Sequence, residues 1–185
     1  MIRFGEDIHS DYQSRTRINV IMSDITVAFA VDDTTSGERA TKKFAEESST
    51  PFFAIKINER GKIPGSERDN LNTLFIVARN IGSQLESGIT LNVAGNGMAT
   101  LSKYGITQER VDELVFNILS KLKENGVRFH AIRSGGQTGV DEAALKAGDK
   151  LGIQTLCLAP HGWKFRDADG QDICDEALFK RRFMK

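Results

Sequence analysis

Cysteine, proline and histidine are scarce in this chain, at two, three and three residues out of 185. Two thiols, Cys157 and Cys174, cannot build the disulfide framework of a small secreted scaffold, and Cys157 lies in an apolar run that suits a small buried thiol. His9, His130 and His161 include no pair at metal-ligand spacing, so no metal site is expected. No run approaches the roughly 18 apolar residues of a membrane span, and the opening MIRFGEDIHSDYQSR is too polar for a signal peptide, which sets a cytoplasmic expectation. Lysine plus arginine and aspartate plus glutamate both count 25, so nothing global draws the chain to nucleic acid or anionic lipid. The Walker lysine motif, the dinucleotide GxGxxG and the GxSxG elbow are all missing, and Cys174 has no histidine near it in sequence, which leaves covalent catalysis without support.

What is present is the composition of a folding chain. The apolar class is 39%, and 17 glycines bring it near the roughly 45–50% of globular proteins. Without a Pro/Ser-rich linker or an internal repeat, residues 1–185 read as a single domain. Self-association into a homo-oligomer stays open.

Five short apolar runs read as buried strands: Ile25 to Val31, Phe52 to Ile57, Thr90 to Ala94, Phe129 to Arg133 and Ile153 to Leu158. Being apolar almost throughout, they suit a parallel sheet covered on both faces. Between them lie helical stretches. Asp11 to Met22 carries Ile18, Ile21 and Met22, and Gly37 to Glu47 carries Ala40, Phe44 and Ala45. Leu71 to Leu85 and Gln137 to Leu151 follow the same pattern. Gln108 to Glu124 is the clearest, with Val111, Leu114, Val115, Ile118 and Leu122 at helical spacing behind Thr107 as N-cap. The alternation predicts an α/β fold, a Rossmann-like three-layer α/β/α sandwich with a mainly parallel sheet. The basic end Lys180 to Lys185 reads as a solvated tail.

Ligands of an open parallel sheet bind outside the carboxyl ends of its strands. Three such junctions stand out: Ser134-Gly135-Gly136-Gln137-Thr138-Gly139, Thr35-Ser36-Gly37 and Gly95-Asn96-Gly97. Glycines let a backbone approach a ligand, and the helix start beyond them favours an anion, so the Ser134 segment reads as a phosphate or nucleotide loop. Asp141 and Glu38 are the candidate catalytic carboxylates. Asp141, four residues after Gln137, shares its helix face and accepts a ribose or ring donor, binds a metal, acts as a base, or only caps the helix. Arg133 closes its strand where it can neutralise phosphate. His161, with Trp163 beside it, can cover a flat ligand, whereas His130 reads as strand interior.

SGGQTGVD at Ser134 to Asp141, followed by AAL and then LGI, resembles the opening of the YpsA-like and molybdenum-carrier proteins of the Rossmann-like SLOG, lysine-decarboxylase-like group. The segments that follow this opening in that family, similar to Asp11–Val20, Ser23–Thr26, Thr35–Gly37 and Leu91–Gly95, here precede it. The chain therefore looks like a circularly permuted member. The resemblance adds Arg17 and Asn19 to the ligand-binding set. It also implies a strand order Ile153–Leu158, Phe129–Arg133, Ile25–Val31, Phe52–Ile57, Thr90–Ala94, with the Ser134 and Thr35 loops face to face. The function it implies is binding of a phosphorylated, nucleotide-derived small molecule, with no cofactor identified. Its alternatives are a phosphoribohydrolase-like enzyme cleaving an N-glycosidic or phosphate bond, and a molybdopterin-cofactor carrier. The PGGxGTxxE loop of the phosphoribohydrolases does not occur here.

Overall fold

The computed structural model describes residues 1–184. Six strands, β1 (Ile2–Glu6), β2 (Ile25–Ala30), β3 (Phe52–Lys56), β4 (Ile89–Gly95), β5 (Phe129–Ser134) and β6 (Thr155–Ala159), form one sheet in the order β1-β6-β5-β4-β2-β3. Every neighbouring pair is parallel. Seven α-helices accompany them among the described residues: α1 (Tyr12–Ile21), α2 (Ser36–Ser48), α3 (Arg68–Gln84), the single turn α4 (Met98–Leu101), α5 (Gln108–Glu124), α6 (Val140–Lys150) and α7 (Glu176–Arg181). A hairpin of β7 (Lys164–Arg166) and β8 (Asp172–Cys174) lies outside the sheet.

The sheet is two-faced because side chains alternate along each strand. Ile25, Val27 and Phe29, with Leu91 and Val93, join Leu74 of α3, Val111 and Val115 of α5 and Ala143 and Ala144 of α6 in the main core. The alternate positions Thr26, Ala28, Ala30 and Asn92 are small or polar but equally buried, and Asn92 Nδ2 donates to Thr26 Oγ1 at 3.2 Å. Helices α1 and α2 pack together, and α3 and α6 both meet α5. The resulting Rossmann-like α/β/α sandwich has its thick apolar layer on one side only. For that reason α1 buries Arg15, Asn19 and Val20 while Ile21 and Met22, expected on its inner face, remain exposed.

The strand order corrects the one implied by resemblance. The strand at Ile89–Gly95 is interior, inserted between β5 and β2, and Phe129–Ser134 neighbours it rather than Ile25–Ala30. Strand β1 is a further departure: Ile2–Glu6 pairs with β6 at a sheet edge, where a half-exposed strand can carry Arg3 and Glu6. His130 is exposed, not interior, because it is the extra residue where the β4–β5 register slips between Ile89–Phe129 and Thr90–Ala131.

The C-terminal arm is not a solvated tail. Phe179 of α7 is fully buried, with the rings of Phe4, Trp163, Phe165 and Phe183 at 6.4, 5.6, 6.0 and 5.8 Å. Arg182, half-buried beside it, donates to Glu142 at 2.8 Å and to the Gly136 carbonyl at 2.7 Å. Lys185 lies outside the described residues. Both cysteines are free, Cys157 buried and Cys174 exposed.

Candidate functional site

Because β5, β4 and β2 are adjacent, their carboxyl ends bring the three glycine-bearing junctions side by side. The middle junction ties the other two together. Asn96, 2% exposed, accepts from the Val31 and Asp32 amides at 2.9 and 3.0 Å and donates to the Asp32 carbonyl at 2.9 Å and to Glu38 at 3.2 Å. Its own carbonyl accepts from the Val140 amide at 3.2 Å. Gly139, at φ +84°, is where this approach requires glycine, since a Cβ there would collide with the Asn96 carbonyl.

In the Ser134–Gly139 loop some donors are claimed, while the amides of Gly135, Gly136 and Thr138 find no acceptor among the described residues. Ser134 is fully buried and donates to the Val93 carbonyl at 2.7 Å. The Gln137 amide donates to Asp141 at 3.3 Å, and the Gly139 amide to Gln108 of α5 at 2.7 Å. Gln137 itself precedes α6, so the contact with Asp141 runs through its backbone rather than along a shared helix face. Gln137 and Thr138 lace the loop onto β7: the Arg166 amide donates to Gln137 Oε1 at 2.9 Å, Gln137 Nε2 to the Lys164 carbonyl at 3.3 Å, and Thr138 Oγ1 to the Arg166 carbonyl at 2.8 Å. Gly136, at φ +69°, faces away from the crevice, and a Cβ there would strike the Phe179 ring and lie 2.7 Å from Cys157 Sγ. Burial pushes the Cys157 thiol up to about 12, so it stays protonated.

The N-terminus of α2 also leaves amides open, here at the start of a 13-residue helix. Thr35 caps it by accepting from the Glu38 amide at 3.3 Å, while the amides of Ser36 and Gly37 find no acceptor among the described residues. A Cβ on Gly37 would meet nothing within 4 Å. These residues line a crevice of ≈ 200 Å³ together with Tyr12, Arg15, Gly95, Asn96, Thr138 and Asp141, and with Arg166.

Two carboxyls face it from within the protein. Glu38 is 7% exposed; desolvation, helped by the nearby Asp141 carboxylate, pushes it up to about 8. Asp141, 4% exposed, is pushed upward by burial and pulled back by Arg15, whose Nη1 lies 3.2 Å from its Oδ2. The Arg15 guanidinium occupies the space over Gly135 that a side chain would take, and its buried Nε has no partner among the described residues.

The sequence-read residues thus separate, and Ser134, Gly135, Gly136 and Gly139 do not line the crevice, lying instead against Val93, Arg15, Phe179 and Asn96. Thr35, Ser36, Gly37, Glu38, Gly95, Asn96, Gln137, Thr138 and Asp141 line the crevice. Arg17 is exposed on α1, Asn19 is buried and accepts from Arg133 Nε at 3.4 Å, and desolvation lowers the Arg133 guanidinium in that position. His161 lies exposed beyond β6, its amide donating to the His9 carbonyl at 2.9 Å and its Nδ1 3.5 Å from Glu6. Sequence reading passed over Tyr12, Arg15 and Arg166. Arg15 carried a signal, because it stands four residues before Asn19 and the pair forms one polar stripe that α1 buries.

Among the described residues no cluster of histidine, cysteine and carboxylate side chains is arranged to hold a metal ion, and no helix is long and apolar enough to cross a membrane. No curated protein and no solved structure matches the chain significantly. A family model described as the circularly permutated YpsA SLOG family matches residues 3–115, from β1 into α5, and so includes α1, the α2 junction and Gly95–Gly97 but stops short of the Ser134 loop. With more than half of its length matched and its parallel sheet arranged as described, the chain belongs to the circularly permuted YpsA SLOG family.

Proposed function

We propose that the crevice binds a phosphorylated, nucleotide-derived small molecule, with its anionic group at the N-terminus of α2. The observation that carries this reading is the pair of unclaimed amides on Ser36 and Gly37 at the start of a 13-residue helix, with the Arg15 guanidinium lining the same crevice. Unpaired amides and the helix dipole favour negative charge. Glu38 is no obstacle: with its carboxyl near 8 it is largely neutral at pH 7. Gly37 provides the test because its Cβ direction is open and Asp is well accommodated in a first helical turn. Gly37→Asp is expected to weaken nucleoside monophosphates at least about tenfold, near 1.4 kcal/mol, in calorimetric titration, with the far-UV spectrum unchanged. Unaltered affinity removes the anion from this position.

A second reading is favoured by Glu38 and Asp141 together. A carboxyl held near 8 and a second carboxyl 3.2 Å from an arginine line one crevice, and cleavage of an N-glycosidic or phosphate bond uses such a pair, one group donating a proton and the other accepting one. Assays for released base, ribose phosphate and phosphate across a nucleotide panel separate the readings. Turnover that Glu38→Gln and Asp141→Asn each lower by about 10²-fold or more supports an enzyme; tight binding without release supports a binding domain.

A further inference from the structure

The hairpin β7–β8 lies beyond the family-matched residues, yet it supplies Arg166 to the crevice lining. The backbone of Arg166 is fixed on both sides by the loop it faces, through Gln137 at 2.9 Å and Thr138 at 2.8 Å. Its side chain is fixed at the base. Nε donates to Asp172 Oδ1 at 2.9 Å, and that same oxygen accepts from the Tyr12 hydroxyl at 2.9 Å. The two terminal nitrogens of the guanidinium have no partner among the described residues, and the side chain is 48% exposed. Lys164 Nζ stands 4.6 Å from the Tyr12 ring centroid and Arg166 Cζ 5.3 Å from it, with no carboxylate on Lys164 among the described residues. One carboxylate, Asp172, therefore orients the rim without neutralising it.

We infer that Arg166, with Lys164 beside it, forms a second anion position at the crevice mouth, so that the ligand carries two separated anionic groups. The inference rests on the proposed binding at α2, which would hold the first group. An arginine held at Nε with a free terminal pair presents the donors that a phosphate or carboxylate accepts in bidentate fashion, and its prior ordering leaves little conformational entropy to lose on binding. A ligand with a single anion would leave this cationic rim to solvent.

The test titrates wild type and Arg166→Gln calorimetrically with adenosine and guanosine 5′-monophosphates and with the corresponding 2′,5′- and 3′,5′-bisphosphates, thermal melts verifying that both proteins are folded. Wild type is expected to bind at least one bisphosphate about tenfold or more tightly than its monophosphate, and Arg166→Gln to abolish most of that gain. Lys164→Gln is expected to remove a smaller part of it, about two- to fivefold. Monophosphate binding with no gain from any second phosphate overturns the second position alone, as does a gain that survives Arg166→Gln. Failure of the wild type to bind any of these probes overturns the proposed binding and this inference together.

Discussion

At the scale of single residues the crevice is defined by buried charge. The Glu38 carboxyl is raised from 4.5 to about 8, so the folded state holds a proton that the unfolded chain has released. The stability linked to that proton is complete below pH 4.5 and is lost as the pH rises through 8. Glu38→Gln abolishes this slope, and above pH 8 the variant is expected to be more stable than wild type by about 1–4 kcal/mol, read from urea denaturation at a series of pH values. On the proposed anion position at α2, the anion would meet a neutral neighbour at pH 7 and a charged one at pH 9, so wild-type affinity is expected to fall over that interval and Glu38→Gln affinity is not. Arg15 is the counterpart. Arg15→Ala leaves the buried Asp141 without its cation and is expected to cost about 3–5 kcal/mol, with Asp141→Asn restoring part of the loss in the double variant.

Among elements, the C-terminal arm bears most directly on the crevice loop. Helix α7 covers Gly136 with Phe179, Arg182 closes on the Gly136 carbonyl and Glu142, and β7 binds Gln137 and Thr138. Gly136→Val therefore acts through packing, not by obstructing a ligand: it combines a left-handed backbone with a collision against Phe179. The expected cost is about 2–4 kcal/mol in denaturant unfolding. Phe179→Ala removes a fully buried ring and is expected to cost about 3–5 kcal/mol, with faster amide exchange along Ser134–Gly139 as well as in α7 itself. The brevity of these elements concealed them in the sequence. Strands β7 and β8 have three residues each and α7 has six, too few for a period of two or of 3.6 to show.

For the whole molecule, the sheet order ranks the strands by protection. Strand β2 is buried at all six positions and lies with β4 and β5 inside the sheet, whereas β1 and β3 each expose one edge. Hydrogen exchange is expected to be slowest in β2 and β4 and to begin in β1 and β3; uniform protection across the sheet would contradict this ranking. Five of the six sheet strands were legible in the sequence as short, mostly apolar runs, most clearly β2, which is buried at all six positions. Edge strand β1 was not, since Arg3 and Gly5 interrupt it. The limits of α5 were legible through Thr107 and the periodicity behind it, whereas α3 and α6 each begin three residues from where the pattern placed them. Strand order was not, because apolar parallel strands are locally interchangeable and only the packing of their crossovers decides between them. The glycine-bearing junctions could also be found from sequence, as could the carboxylates Glu38 and Asp141, since each depends on residue type at a strand or helix end. Which donors remain open was settled only in three dimensions. Asn96 and Gln108, distant along the chain, claim the amides of Val140 and Gly139, while those of Ser36 and Gly37 stay unclaimed, and Arg15 and Arg166 reach the crevice from α1 and β7. Local sequence determines what a backbone segment can form, but a hydrogen-bond donor is free or used according to neighbours that only folding brings within 3 Å.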